Sequence, residues 1–183
     1  RGARLLGSVP GPSLVVMQLP RGNLEGVHPR VLVLSAVRDL LDSRSYGLAF
    51  ECLRRHRVDL NLLVDHNPRS FVANVAQVVR EVAQAGRDRL DVFIAALVQD
   101  DVTHSKYPPP PYAGRVARED ACMENEYDAA GGKTNFVCRL IRSTLCAASP
   151  GLLGDAPSAS LFPVVASFVK QTPPALKEAL QVV

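Results

Sequence analysis

Tryptophan is absent from this 183-residue sequence, and aromatic residues as a whole make up only 5% of it. Any core must therefore be built from Val, Leu and Ala, not around large rings. Neither sign of charge dominates, since 21 Lys and Arg face 18 Asp and Glu, a formal net charge of +3. That balance lies far below the concentrated positive charge of a dedicated nucleic-acid module. No apolar run approaches the roughly 18 residues that mark a membrane span, so no membrane partner is expected. Residues 1–9 lack the long apolar core and small-residue cleavage site of a secretory signal. Cysteine is sparse, and Cys52, Cys122, Cys138 and Cys146 form no C-x-x-C pair. They read as reduced thiols. Cys52 and His56 share a helix face at i, i+4, but a zinc site needs about four ligands at tight local spacing, and no second pair matches. No metal and no cofactor are expected. Cys138 reads as a small buried apolar residue.

What is present is a globular composition, with 47% hydrophobic and 21% charged residues, in a chain long enough for one domain with a real core. Leu5 to Val9 and Leu14 to Leu19 are apolar runs around Pro10-Gly11-Pro12-Ser13, the signature of a β-hairpin. Strand is expected only before about residue 20. Pro29 then opens a helix with Val31, Leu34, Val37, Leu40 and Leu41 inward. Ser45 is the N-cap of a second, Tyr46 to Arg57, with Leu48, Ala49, Cys52 and Leu53 inward. A short third helix ends near Asp65. Asn67 caps a fourth, with Pro68 at its first position and Phe71, Val75, Val78, Val79 and Val82 on its face, running to Gly86. Asp88 caps a fifth through Leu90, Phe93, Ile94 and Leu97. Pro108 to Pro111 interrupt the pattern, and the acidic stretch up to Gly132 reads as a surface loop. Helix resumes from Thr134 to about Ala148 and from Ser158 to Lys170, and a last one follows Thr172-Pro173-Pro174 with Leu176 and Leu180 inward. The chain starts without Met and stops inside a helical pattern at Val183, which reads as a piece of a longer protein. The fold class is all-α, an irregular α-solenoid of tetratricopeptide-like antiparallel helix pairs after a short β-hairpin. Its parts are 1–25, the hairpin; 26–106, the first solenoid helices; 107–132, a Pro-rich and acidic loop; and 133–183, continuing helices.

Three peptides invite chemistry. Gly131-Gly132-Lys133-Thr134 resembles the end of a phosphate-binding loop, but Tyr127 stands where the motif needs its first Gly and no strand precedes it. Asp65-His66-Asn67-Pro68 could be a fragment of a charge relay, yet no nucleophile is placed beside it. The structural reading has Asn67 as a cap, His66 in a tight turn and Asp65 paired with an Arg. Arg54, Arg55 and Arg57, with His56, form the densest basic cluster. Cations in a last helical turn oppose the helix dipole. The alternative is a phosphate-contacting patch, for which Arg44, Arg87 and Arg89 are candidate reinforcements. No catalytic set emerges, so an enzyme is not expected.

The peptide Val15 to Glu25, centred on Pro20-Arg21-Gly22-Asn23, resembles one family: the large scaffold subunit of the Elongator complex (IKAP-type). The likeness continues through His28-Pro29-Arg30, Ala49 to Arg57, Asp59-Leu60-Asn61-Leu62, Asp65-His66-Asn67-Pro68 and Asp100 to Thr103. It covers most of residues 1–112, weakens over 113–130 and returns loosely at Lys133 to Arg142 and Thr172 to Leu180. That family carries two WD-repeat propellers, then a solenoid, then a dimerisation region, and performs no chemistry itself. The resemblance implies that 1–25 is the remnant of a propeller and that Pro20 to Asn23 and Asp65 to Pro68 are structural junctions. It implies as partners the radical-SAM acetyltransferase subunit and a WD-repeat subunit of a complex that modifies wobble uridine in tRNA. Homodimerisation would lie outside this segment, and the location would be cytoplasmic, with the nucleus as a second site. Two other readings stay open: a tRNA-contacting module using Arg54, Arg55 and Arg57, and a generic helical adaptor.

Overall fold

The structure is a computed structural model that describes residues 2–9, 13–84, 86, 88–107, 117–147 and 158–181. Strands β1 (Arg4–Val9) and β2 (Leu14–Gln18) form the expected hairpin, with Arg4 opposite Gln18 and Val9 opposite Leu14. A third strand, β3 (Leu24–Val27), pairs antiparallel with β2. Strand therefore continues past residue 20, and the sheet past the expected boundary at 25. Leu24-Glu25-Gly26-Val27 hides this because Gly and Glu are poor strand formers. Gly26 lets Leu14 pack close, since a Cβ there would stand 2.9 Å from Leu14 Cδ1 and that side chain would have to shift.

Pro20 to Asn23 form the turn between β2 and β3. Gly22 N–H donates to the Leu19 carbonyl, and Leu19 N–H to that of Asn23, both at 2.8 Å. Gly22 adopts φ +90°, a region glycine enters without steric cost. Asn23 keeps ordinary backbone geometry, although its residue type also tolerates positive φ.

Among the described residues eleven helices follow. They are α1 (Arg30–Asp42), α2 (Tyr46–Arg55), α3 (Leu62–Asp65), α4 (Pro68–Ala73), α5 (Val75–Gln84) and α6 (Arg89–Ala96). Then come α7 (Val102–Ser105), α8 (Ala117–Ala130), α9 (Lys133–Ala147), α10 (Ser158–Lys170) and α11 (Leu176–Leu180). The expected fourth helix is two, broken at Asn74 (φ −118°, ψ 17°), whose side-chain amide donates to the Ser70 carbonyl at 2.7 Å. An Asn inside a helix bonds the local backbone and competes with helical geometry. Ser45 and Asp88 occupy N-cap positions without capping through their side chains. Helices α1 and α2 each end in a Schellman turn whose left-handed residue is an arginine: Arg44 at φ 58° and Arg57 at φ 51°. Ser45 N–H reaches back to the Leu40 carbonyl, and Val58 N–H to that of Leu53.

The acidic half of the expected 107–132 loop is helix α8. Pro108 to Pro111 lie outside the described residues, and the prolines and acids masked a segment of good helix formers (Ala, Glu, Met). Its core side is narrow, with Met123 and Ala130 buried and the Tyr127 ring edge-on to Phe136 at 5.4 Å. Gly131 (φ +79°) ends α8 in a third Schellman turn, with Gly132 N–H donating to the Tyr127 carbonyl at 2.7 Å.

The helices stack in order: α1 on α2, α2 on α5, α5 on α6 and α9, α9 on α8 and α10, and α10 on α6 and α11. Phe50, Leu53, Phe71, Phe93, Val137 and Ile141 fill the common core. Cys138 is fully buried among them, and burial pushes its thiol up to about 11. Val31, Leu48, Leu176 and Leu180, expected inward, are exposed, while Val33 and Ala179 take the buried positions. Asn67 is the cap the sequence predicts: its Oδ1 accepts the Ser70 N–H at 2.9 Å, with Pro68 next to it. Asn67→Ala should cost about 1 kcal/mol. An unchanged thermal midpoint would remove the capping role.

Candidate functional site

The residues with chemical potential converge on a buried seam between α3, the segment 96–102 and the start of α9. Asn61, only 1% exposed, is its first member. Its Nδ2 donates to the Ala96 carbonyl at 2.8 Å and to Asp59 Oδ1 at 2.7 Å, while its Oδ1 accepts Val98 N–H at 3.0 Å. One amide thus satisfies backbone groups of a chain that turns from α6 toward α7. Asp59 also accepts from Lys106, and its N–H donates to Tyr107 Oη at 2.9 Å. Burial pushes the Asp59 carboxyl up, and hydrogen bonds from Lys106 and Asn61 more than offset it, holding it below the usual carboxylate range.

Asp65 is the centre of the seam. Lys133 Nζ donates to both of its carboxylate oxygens at 2.9 and 3.0 Å and to the Asp100 carbonyl at 2.6 Å. Val102 N–H supplies a further bond to Asp65 at 2.9 Å. Burial pushes Asp65 up to about 6, against the pull of Lys133 and the Val102 N–H. The folded state therefore holds this proton more tightly than an unfolded chain does. The associated stability is present below about pH 4 and lost as pH rises to about 6. Next to it, His66 is buried and its Nε2 lies 2.7 Å from Asp42 Oδ1 at the end of α1.

The expected Arg partner of Asp65 is thus Lys133, from the peptide that resembles a phosphate-binding loop. Every residue of that peptide is engaged internally. Gly131 and Gly132 terminate α8, Lys133 enters the seam, and Thr134 N–H donates to Gln99 Oε1 at 3.2 Å. Asn135 then brackets Thr172, donating to its carbonyl and accepting its N–H, each at 2.8 Å. A cradle for phosphate needs open backbone N–H groups and a free lysine, and here both are turned to holding helices together.

The basic cluster lies on the surface. Arg54, Arg55 and Arg57 are exposed at the end of α2. The reinforcements expected from sequence do not join them. Arg44 precedes the other end of α2, Arg89 pairs with Glu51, and Arg87 lies outside the described residues. Arg30 and His28 take their place. Arg30 Nη1 donates to the carbonyls of His56 and Arg57 at 3.1 and 3.4 Å, and the His28 and His56 rings meet at 4.6 Å. Desolvation, then the charges of His28, Arg55 and Arg30, hold His56 below the ordinary imidazole range.

The sequence profile described as ELP1 alpha-solenoid matches residues 30–183, starting at the first residue of α1. The chain belongs to that family. Elongator complex protein 1 of Oryctolagus cuniculus is 34% identical over 181 residues, 99% of this chain and 12% of its own length. The proteins of that name from Schizosaccharomyces pombe and Saccharomyces cerevisiae are 31% and 30% identical, over 98% and 100% of the chain. The chain thus spans about an eighth of the relatives it matches, 12% to 14% of each. The ELP1 solenoid accounts for the stacked helices, and the peptides that suggested it in the sequence, Asp59 to Leu62 and Asp65 to Pro68, contribute much of the polar seam. No described helix is long and apolar enough to cross a membrane.

Proposed function

We propose that this chain is a segment of the non-catalytic scaffold of an Elongator complex, supporting assembly of the machinery that modifies wobble uridine in tRNA. One observation carries the reading beside family membership. The side chains best suited to chemistry, Asp65, Lys133, Asn61 and His66, are buried and bind other parts of the chain. A side chain fixed in this way positions helices and does not meet a substrate. The partners are the radical-SAM acetyltransferase subunit and a WD-repeat subunit, with homodimerisation elsewhere in the whole protein, in the cytoplasm and also the nucleus. Strands β1 to β3 would complete a preceding WD-repeat propeller. Every residue of β1 is exposed, as an edge strand awaiting neighbours would be. The test is affinity purification of the full-length protein with and without residues 30–181. Deletion should remove the acetyltransferase subunit from the eluate, with wobble-uridine modification falling in parallel. Full retention of that subunit would overturn the scaffold role of this segment.

A further inference from the structure

Charge is compensated in most of the places where the helices meet. Lys133 pairs with Asp65, Lys106 with Asp59 and Arg89 with Glu51. At the end of α2 it is not. His28 arrives there from the link between β3 and α1, Arg30 from the first residue of α1, Arg54 and Arg55 from the last turn of α2, and Arg57 from the residue that terminates it. Arg54, Arg55 and Arg57 have no carboxylate partner among the described residues. Each charge acting on the His56 ring is positive. The negative end of α2 explains one cation, Arg30, which caps the His56 and Arg57 carbonyls. It leaves three guanidinium groups exposed beside it.

We propose that Arg54, Arg55 and Arg57, backed by Arg30 and the His28–His56 ring pair, form a contact surface for the phosphate backbone of a single-stranded nucleic acid. This goes beyond the scaffold role and does not depend on it. All four strong cations are arginines, whose planar forks match phosphate oxygens two at a time. Two imidazole rings 4.6 Å apart offer a face on which an unpaired base can stack, as aromatic and histidine side chains do in single-strand recognition. A protein partner would call instead for an apolar or aromatic anchor at the centre, whereas the exposed groups converging here are guanidinium and imidazole.

The test is fluorescence anisotropy of the full chain with a labelled oligouridylate across a salt series. The wild type should bind at low salt and weaken linearly in log–log form. Arg54→Gln, Arg55→Gln and Arg57→Asn together should make the slope shallower by about 2, since three phosphate contacts at about 0.7 each are removed. Asn is used at position 57 because it tolerates the left-handed backbone there. The matched control, Arg69→Gln, Arg80→Gln and Arg139→Gln, removes the same charge from three other exposed arginines and should leave the slope unchanged. If the triple variant melts early, Arg54→Gln with Arg55→Gln repeats the comparison without touching the turn. Equal losses in test and control variants, or an unchanged slope, overturn the proposal. So does labelled poly-glutamate binding as tightly as the oligouridylate with the same arginine dependence, which would make the corner an interface for acidic protein.

Discussion

Lys133→Met should destabilise the folded chain by about 3–5 kcal/mol at pH 8. The lysine is 5% exposed and Asp65 3%, so neither charge is relieved by water. Removing the ammonium withdraws two hydrogen bonds from the carboxylate and one from the Asp100 carbonyl. The carboxylate is already pushed up to about 6 by burial; without Lys133 it rises further. The loss should therefore be smaller at pH 5, where Asp65 is protonated with or without its partner, and should grow as pH rises above about 6. Asp65→Asn alone should be milder, because the amide oxygen can still accept the Val102 N–H. Combining the two substitutions should recover much of the deficit, since no buried charge is then left without its counterpart. Urea denaturation of the four proteins at both pH values checks the set. A loss under 1 kcal/mol, or one independent of pH, would mean that the pair contributes little to the native state.

The second large effect belongs to the core. Phe71→Ala should cost about 3–5 kcal/mol and Leu53→Ala about 2–5. Both side chains are fully buried, and Phe71 packs tilted against Phe93 with centroids 6.3 Å apart. Leu48→Ala is the internal comparison. It lies on α2 with Leu53 but is exposed, so its removal should stay within about 0.5 kcal/mol. Denaturation midpoints measure all three, and cellular co-purification of Elongator subunits should fall in the same order. Leu48→Ala matching Leu53→Ala would show that the outward face of α2 is itself buried in the protein's working state.

How much of this was legible in the sequence depended on the range of each interaction. Periodicity exposed the cores of α5 and α6 and part of that of α2, because i, i+3 and i+4 neighbours encode a helix face locally. Asn67-Pro68 was legible for the same reason: cap and first helical residue are adjacent. Leu48 was misplaced because α2 is amphipathic over a narrower arc than its apolar residues fill. Helix α8 was missed because prolines just upstream and a thin apolar stripe resemble a loop. The site resisted more strongly. Asp65 and Lys133 are separated by 68 residues, and nothing local to either names the other. Family resemblance covered the Asp65 peptide and, loosely, Lys133 to Arg142, but did not pair the two. The arginine corner was half visible, since Arg54 to Arg57 are contiguous while Arg30 reaches them from 26 and 27 positions away.

The Asp65–Lys133 bond also changes what kind of object this helical stack is. In an ideal solenoid each unit touches only its neighbours, so stability adds unit by unit and the ends can fray alone. Here a short helix in the first half of the chain is bolted to the start of α9, and Lys170 Nζ reaches back 75 residues to the Ala95 carbonyl. Those ties make distant helices gain and lose their structure together. The described helices from α3 to the start of α9 should therefore unfold together, and a cut that separates Asp65 from Lys133 would strand a buried charge. Pulled from its ends, a stack tied in this way should give way as a unit, where a string of independent repeats would yield one repeat at a time.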